Sequence, residues 1–152
     1  MTTRTVREKN AQGQASRLTL RVYYEDTDFS GRVYHASYLR FLERGRTEWL
    51  RERGFEQREM AKGVSIVFVV RRLTIDFLKA AAMDDLLTIE TRLALLGAAS
   101  FDFSQVIICD ETTIATALVG VAALKGDRPA RLPQDLRARL LNESATSDPS
   151  SH

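Results

Sequence analysis

The 152-residue chain is 44% hydrophobic and 28% charged, the size and make-up of one globular domain, which excludes wholesale disorder and a pair of independent enzymatic domains. Its 22 Lys and Arg against 20 Asp and Glu are too evenly balanced for a dedicated nucleic-acid binder, and a single cysteine, Cys109, with two histidines, His35 and His152, excludes disulfide frameworks and Cys/His metal clusters. No apolar run nears the roughly 20 residues that span a bilayer, and the first residues lack the apolar core of a secretory signal, so a soluble, cytoplasmic protein without a transmembrane segment is expected.

Residues 1–16 are polar and aperiodic and read as a flexible arm, and residues 142–152 have the small polar composition of a disordered tail, which leaves a folded body at 17–141. Leu18, Leu20, Val22 and Tyr24 alternate with polar neighbours, the period of a strand with one buried face. From Tyr38 the spacing changes. Tyr38, Phe41, Leu42, Gly45 and Trp49 form a helical stripe opposite Arg40, Glu43, Arg44, Arg51 and Glu52, and Gly54 supplies a left-handed C-cap. Tyr34, Tyr38, Phe41 and Trp49 read as helix core by this spacing.

A β-branched run from Val64 to Phe77 predicts a second, long strand, closed by a turn at Met83-Asp84-Asp85. Leu87 to Leu95 and Phe101 to Ile107 alternate as strands three and four, separated by a break at Gly97. The fifth, Thr113 to Leu124, is apolar or small on both alternating sets, which demands cover on both faces. The order strand, helix and four strands joined by short turns predicts an α+β antiparallel meander with one helix on one face. One helix cannot hide both faces of five strands, so a homo-oligomer is expected. Beyond the strands, Lys125, Arg128, Arg131, Arg137 and Arg139 face only Asp127 and Asp135, which is either a local anion site or a solvated basic helix.

Chemistry concentrates between the first strand and the helix, in Tyr24-Glu-Asp-Thr-Asp-Phe-Ser-Gly-Arg-Val-Tyr-His35. Three carboxylates, a glycine and the non-terminal histidine lie within twelve residues, just where a helix start offers free N–H groups and partial positive charge to a developing oxyanion. Rival motifs fail. Asp26-x-Asp28-x-Ser30-Gly31 begins like a calcium loop, but its twelfth position is Ser37 rather than a bidentate Glu. No P-loop, G-x-S-x-G elbow or G-x-G-x-x-G is present. Cys109, at a strand end, reads as a small buried hydrophobe rather than a nucleophile.

Arg21-Val-Tyr-Tyr-Glu-Asp-Thr-Asp28, Gly31, Val33-Tyr-His-Ala-Ser-Tyr38 and Phe41-Leu-Glu-Arg-Gly-Arg-Thr-Glu48 resemble the hotdog-fold acyl-CoA thioesterases of the 4-hydroxybenzoyl-CoA thioesterase group, in the YbgC-like branch associated with the Tol-Pal envelope system. The likeness runs from about residue 18 to 133. It implies a long helix wrapped by a five-stranded antiparallel sheet, dimers or tetramers, and hydrolysis of acyl-CoA to a free acid and coenzyme A without metal or redox cofactor. It also implies that Asp28 is the catalytic carboxylate, as nucleophile or as general base on water, with His35 assisting.

Within that frame the backbone near Gly31, Tyr34 and His35 is the expected polarising element for the thioester carbonyl. Arg71, Arg72, Lys125 and Arg128 are the candidates for coenzyme A, although Arg71 and Arg72, adjacent on a strand, should point to opposite faces so that only one grips a phosphate. Asp26 and Glu25 read as cap and turn residues, and Asp28 and His35 each have a structural alternative, as helix cap and as hydrogen-bonded histidine. Ser30 stands where the branch often has glycine, Phe29 where a small residue is usual and Arg32 where an aliphatic one is, so a bulky Phe29 is expected to narrow the acyl site. Two alternatives share the fold: an enoyl-CoA hydratase, disfavoured because six residues rather than four separate Asp28 from His35, and a non-catalytic acyl-carrier-protein-binding or scaffold module.

Overall fold

The computed structural model describes residues 15–63 and 65–146. Strand β1 (Ser16–Arg21) leads through a short 3-10 turn at Tyr24–Asp26 to helix α1 (His35–Glu52) and helix α2 (Gln57–Gly63). Strands β2 (Ile66–Phe77), β3 (Leu86–Leu96), β4 (Ser100–Cys109), β5 (Thr112–Lys125) and the two-residue β6 (Arg128–Pro129) follow, and helix α3 (Gln134–Thr146) ends the described chain. The strand β1 includes Ser16, and α3 extends to Thr146, so five residues assigned to a tail by composition are helical. The rest of the arm and tail lies outside the described residues.

The long helix is built as its spacing predicts. Tyr38, Phe41, Leu42, Gly45 and Trp49 are buried against the sheet. Gly45 is required there, because a Cβ at this position would stand 2.7 Å from Ile89 Cγ2 and 2.8 Å from Thr91 Oγ1, so only glycine lets the helix lie this close to β3. The helix closes in a Schellman motif, with Gly54 at φ +87° and bonds from Gly54 N to Arg51 O and Phe55 N to Leu50 O.

The sheet is antiparallel in the order β1-β3-β4-β5-β2, with β6 paired to β5. The expected meander therefore holds only for β3, β4 and β5. After Phe77 the chain crosses the end of the sheet instead of making a hairpin: Leu78 N donates to Ile114 O on one side, while Asp84 N donates to Val22 O and Val22 N to Asp85 O on the other. Alternating hydrophobicity reports that a strand has a buried face, not which strand lies beside it.

The inward residues of β5, Ala115, Ala117, Val119, Val121 and Ala123, are buried under α1, whereas Thr116, Leu118 and Gly120 on the other face are half-buried. Helix α3 joins the core. Leu132, Leu136 and Leu140 are buried, a spacing of four that its surrounding charges conceal. Arg137 and Arg139 of the basic stretch donate to the carbonyls of Gly97 and Arg53, so two of its five cations serve the fold.

Candidate functional site

Between β1 and α1 the chain makes a small hairpin. Thr27 bridges Val33, Asp28 N donates to Arg32 O at 2.9 Å, and Gly31 N donates to Asp28 O at 3.0 Å with Gly31 at φ +82°. Asp28 begins the four-residue turn and Phe29 stands at its tip, its side chain wholly in solvent. Within one chain, then, Phe29 narrows no acyl site. The crossing segment supports this hairpin from below: Arg32 bridges Ala82, Val33 N donates to Ala81 O, and Ala81 N donates to the Tyr38 hydroxyl at 3.0 Å.

Two aspartates two residues apart have different surroundings. Asp26 is buried and structural: its carboxylate accepts from Tyr23 N at 2.9 Å and from Arg40 Nη2 at 3.0 Å, fixing the 3-10 turn against α1 as the cap reading anticipates. Asp28 is exposed. Its Oδ1 accepts from the Ser30 hydroxyl at 2.5 Å and the Ser30 amide at 2.8 Å. These bonds, the hydroxyl first, hold the Asp28 carboxyl below the ordinary aspartate range. The result is a reliably ionised carboxylate open to solvent.

Tyr34 is the N-cap of α1 and half-exposed rather than core, because its φ of −64° and ψ of 133° turn it out of the stripe. Its amide donates to Asp26 O at 2.9 Å, and that of Gly31 is taken by Asp28 O. At the helix start, the amides of His35 and Ala36, its first two residues, have no acceptor among the described residues. The His35 ring is exposed and packs at 4.5 Å on the ring of Tyr34, and no hydrogen bond joins it to Asp28. The hairpin therefore carries an ionised carboxylate seven residues ahead of a helix start with two open N–H donors.

The cations predicted for coenzyme A lie elsewhere in the chain. A β-bulge between Val70 and Arg72 breaks the alternation, so Arg71 and Arg72 line the same polar hollow of about 950 Å³ on the sheet face opposite α1, together with Asp76 and Asp102. The expectation that they point to opposite faces is corrected by that extra residue. Lys125 and Arg128 face each other across the β5–β6 turn, beside Ile66 at the far end of β2 from Phe77. Tyr38, which supports the site, packs its ring 5.5 Å from that of Phe77. Eleven residue-to-residue steps of about 3.3 Å separate the two ends of this twelve-residue strand. Cys109 packs against the core and burial raises its thiol pKa, the environment of an unreactive cysteine.

The chain matches a family model, the thioesterase-like superfamily, over residues 22–140. The chain belongs to this superfamily. It is 41% identical over 121 residues to the acyl-CoA thioesterase YbgC of Haemophilus influenzae, covering 78% of this chain and 89% of that protein. It is 40% identical over 127 residues to the acyl-CoA thioester hydrolase YbgC of Escherichia coli O6:H1, covering 82% and 94%. A probable thioesterase from Bartonella henselae superposes with a TM-score of 0.77 at 45% identity, covering 79% of this chain and all of that one. The 4-hydroxybenzoyl-CoA thioesterase of Pseudomonas superposes with a TM-score of 0.79 at 21% identity, covering 83% and 99%, a likeness of fold. The fold is the hotdog fold, with the two-residue β6 and two further helices added to the expected five strands and one helix.

Proposed function

We propose that this chain is an acyl-CoA thioesterase whose Asp28 carboxylate attacks the thioester carbonyl or activates water to do so. The observation that carries the reading is an ionised Asp28 on the hairpin that leads directly into a helix start with the His35 and Ala36 amides open. The thioester oxygen sits at those amides, where the helix dipole adds to two N–H donors, and negative charge moving onto it in the transition state is stabilised in place. Thiolate leaves as coenzyme A, and water completes the acid. The carboxylate and the amides supply both functions of the reaction, so no metal or redox cofactor is required. Names of relatives at about 40% identity over most of the chain support the same reaction.

The reading includes a homodimer formed through β2. This strand has β5 on one side only, and Val67, Val70 and Phe77 along it are exposed. An open edge of twelve residues is a template for a second strand. Antiparallel pairing of two copies about the strand midpoint lays Ile66 of one beside Phe77 of the other. Lys125 and Arg128 are thereby carried toward the second copy's Asp28 segment, a placement that suits the phosphates of coenzyme A. A cytoplasmic location and an association with the Tol-Pal system belong to the proposal as well, supported by the likeness to the YbgC proteins.

The test is release of coenzyme A from short, medium, long and aromatic acyl-CoAs, with Asp28→Asn in parallel. Turnover that collapses in the variant supports the reading. No release from any acyl-CoA, or release unchanged in Asp28→Asn, overturns it and favours a carrier-protein or scaffold role.

A further inference from the structure

Arg46 is a buried cation with too few partners. It lies on α1 facing the sheet and is 8% exposed. Its Nη1 donates to Gln105 Oε1 at 3.1 Å, and Gln105 in turn donates to Leu42 O and Thr91 Oγ1, both at 2.9 Å. Gln105 is neutral and its acceptor is thereby used. Among the described residues Arg46 makes no ion pair, although a guanidinium carries five N–H donors and stays charged at any physiological pH. Burying such a charge without a directly paired anion is costly, and only the more distant Glu43 offsets it within the chain.

The remaining nitrogens of Arg46 are not sealed in the core, and the residue lines a cavity of about 400 Å³ between α1 and β2. Leu50, Phe68, Phe101, Phe103 and Val121 form its apolar walls, and Thr47 and Glu43 line it on the α1 side. Phe68 and Phe103 each meet the ring of Phe101 edge-on, at 5.2 and 5.3 Å. This is the form of a small-molecule site, an apolar body with a few polar groups on one side. Glu43, exposed and one turn earlier on α1, also lines the cavity and is the charge that acts on Arg46, but no ion pair within 4 Å joins the two.

We propose that this cavity binds an apolar acid by its far end, with the Arg46 guanidinium gripping the terminal carboxylate and the aromatic walls enclosing the carbon chain. The ligand is the acyl part of the substrate, a chain that carries an anionic group at the end remote from the thioester. This assignment rests on the thioesterase reading above. The paired β2 edges provide the connection, since they bring Phe68 and its cavity in one copy toward the Asp28 segment of the other.

The experiment uses two molecules that differ only in the terminal group. Hydrolysis of adipoyl-CoA and hexanoyl-CoA is compared in the wild type, Arg46→Met and Arg46→Lys, and binding of free adipate and hexanoate is measured by calorimetry on the same proteins. The wild type is expected to prefer adipoyl-CoA in kcat/KM. Arg46→Met is expected to lose ten- to a hundredfold on adipoyl-CoA and less than threefold on hexanoyl-CoA, with Arg46→Lys between, as charge-assisted bonds to a carboxylate predict. Replacing a buried charge with an apolar side chain of similar length is compatible with folding, and the retained hexanoyl-CoA rate reports it.

Equal rates on the two substrates together with absent adipate binding, or a preference that survives in Arg46→Met, overturn the proposal. Adipate binding that needs Arg46, without a preference in turnover, assigns the cavity to a free acid instead of the acyl tail. Should no acyl-CoA be hydrolysed, the thioesterase reading fails, and calorimetry with adipate still decides whether Arg46 forms an anion site.

Discussion

Ser30 holds Asp28 from two directions, its hydroxyl and its own amide both donating to the same carboxylate oxygen, Oδ1. The arrangement fixes one oxygen and leaves Oδ2 available to substrate or water. A glycine at position 30 retains the amide bond and loses the hydroxyl.

Ser30→Gly or Ser30→Ala is therefore expected to raise the Asp28 pKa, because the largest cause of its depression is removed. A reaction that needs the carboxylate loses rate as pH falls through that pKa, so the acid limb of the kcat/KM profile moves to higher pH in either variant. The neutral-pH rate changes little. An acid limb unmoved by the substitution argues against Asp28 as the titrating group.

The stability contribution of Asp28 has the same sign. A carboxyl held lower in the folded than in the unfolded chain stabilises the fold above the unfolded pKa, and the contribution fades as pH falls through the folded one. Asp28→Asn is expected to lower kcat by about a hundredfold or more, with thermal unfolding at pH 7 nearly unchanged because the side chain is exposed.

The carboxylate two residues earlier gives the opposite result. Asp26 is buried with bonds to Tyr23 N and Arg40, so Asp26→Ala is expected to cost on the order of 1–3 kcal/mol. At about 2–4 °C per kcal/mol for a chain of this size, Tm falls by several degrees. The rate per folded molecule falls far less than in Asp28→Asn, as a thermal melt and a titrated active-enzyme assay show together.

His35 contributes a ring and an amide, and two substitutions separate them. His35→Gln keeps the amide and is expected to cost less than tenfold if the backbone does the polarising. His35→Pro deletes the amide at the first position of a helix, where proline is well tolerated, and the φ of −64° and ψ of 133° at Tyr34 already suit a residue before proline. Loss of a polarising donor typically costs a hundredfold or more in kcat. Equal losses in the two variants would assign the role to the imidazole.

Gly45→Ala tests the helix–sheet contact. Alanine favours helix over glycine by about 1 kcal/mol, but its Cβ meets Ile89 and Thr91 below 3.0 Å. Overpacking of about 1–3 kcal/mol is expected to win, lowering Tm and not raising it.

The sequence by itself determined the local structure. The helical stripe from Tyr38 to Trp49, the Gly54 cap and the alternating strands follow from side-chain spacing, since a helix or strand buries one face by a fixed period. Asp28 and the helix start were legible too, because hairpin and helix are consecutive in the chain and their chemistry is local. Strand order was decided by the tertiary structure: β2 lies beside β5 because the segment from Leu78 to Asp85 crosses the sheet, and nothing in a period of two encodes a neighbour. The same holds for the bulge that turns Arg71 and Arg72 into one hollow. Tyr34 fits the apolar run in spacing, yet the bond from its amide to Asp26 O sets it at the cap and leaves the next two amides open. Arg46 reads as one more charge on a helix. Only the packing of α1 on β4 shows it buried against Gln105, because burial arises between residues distant in sequence.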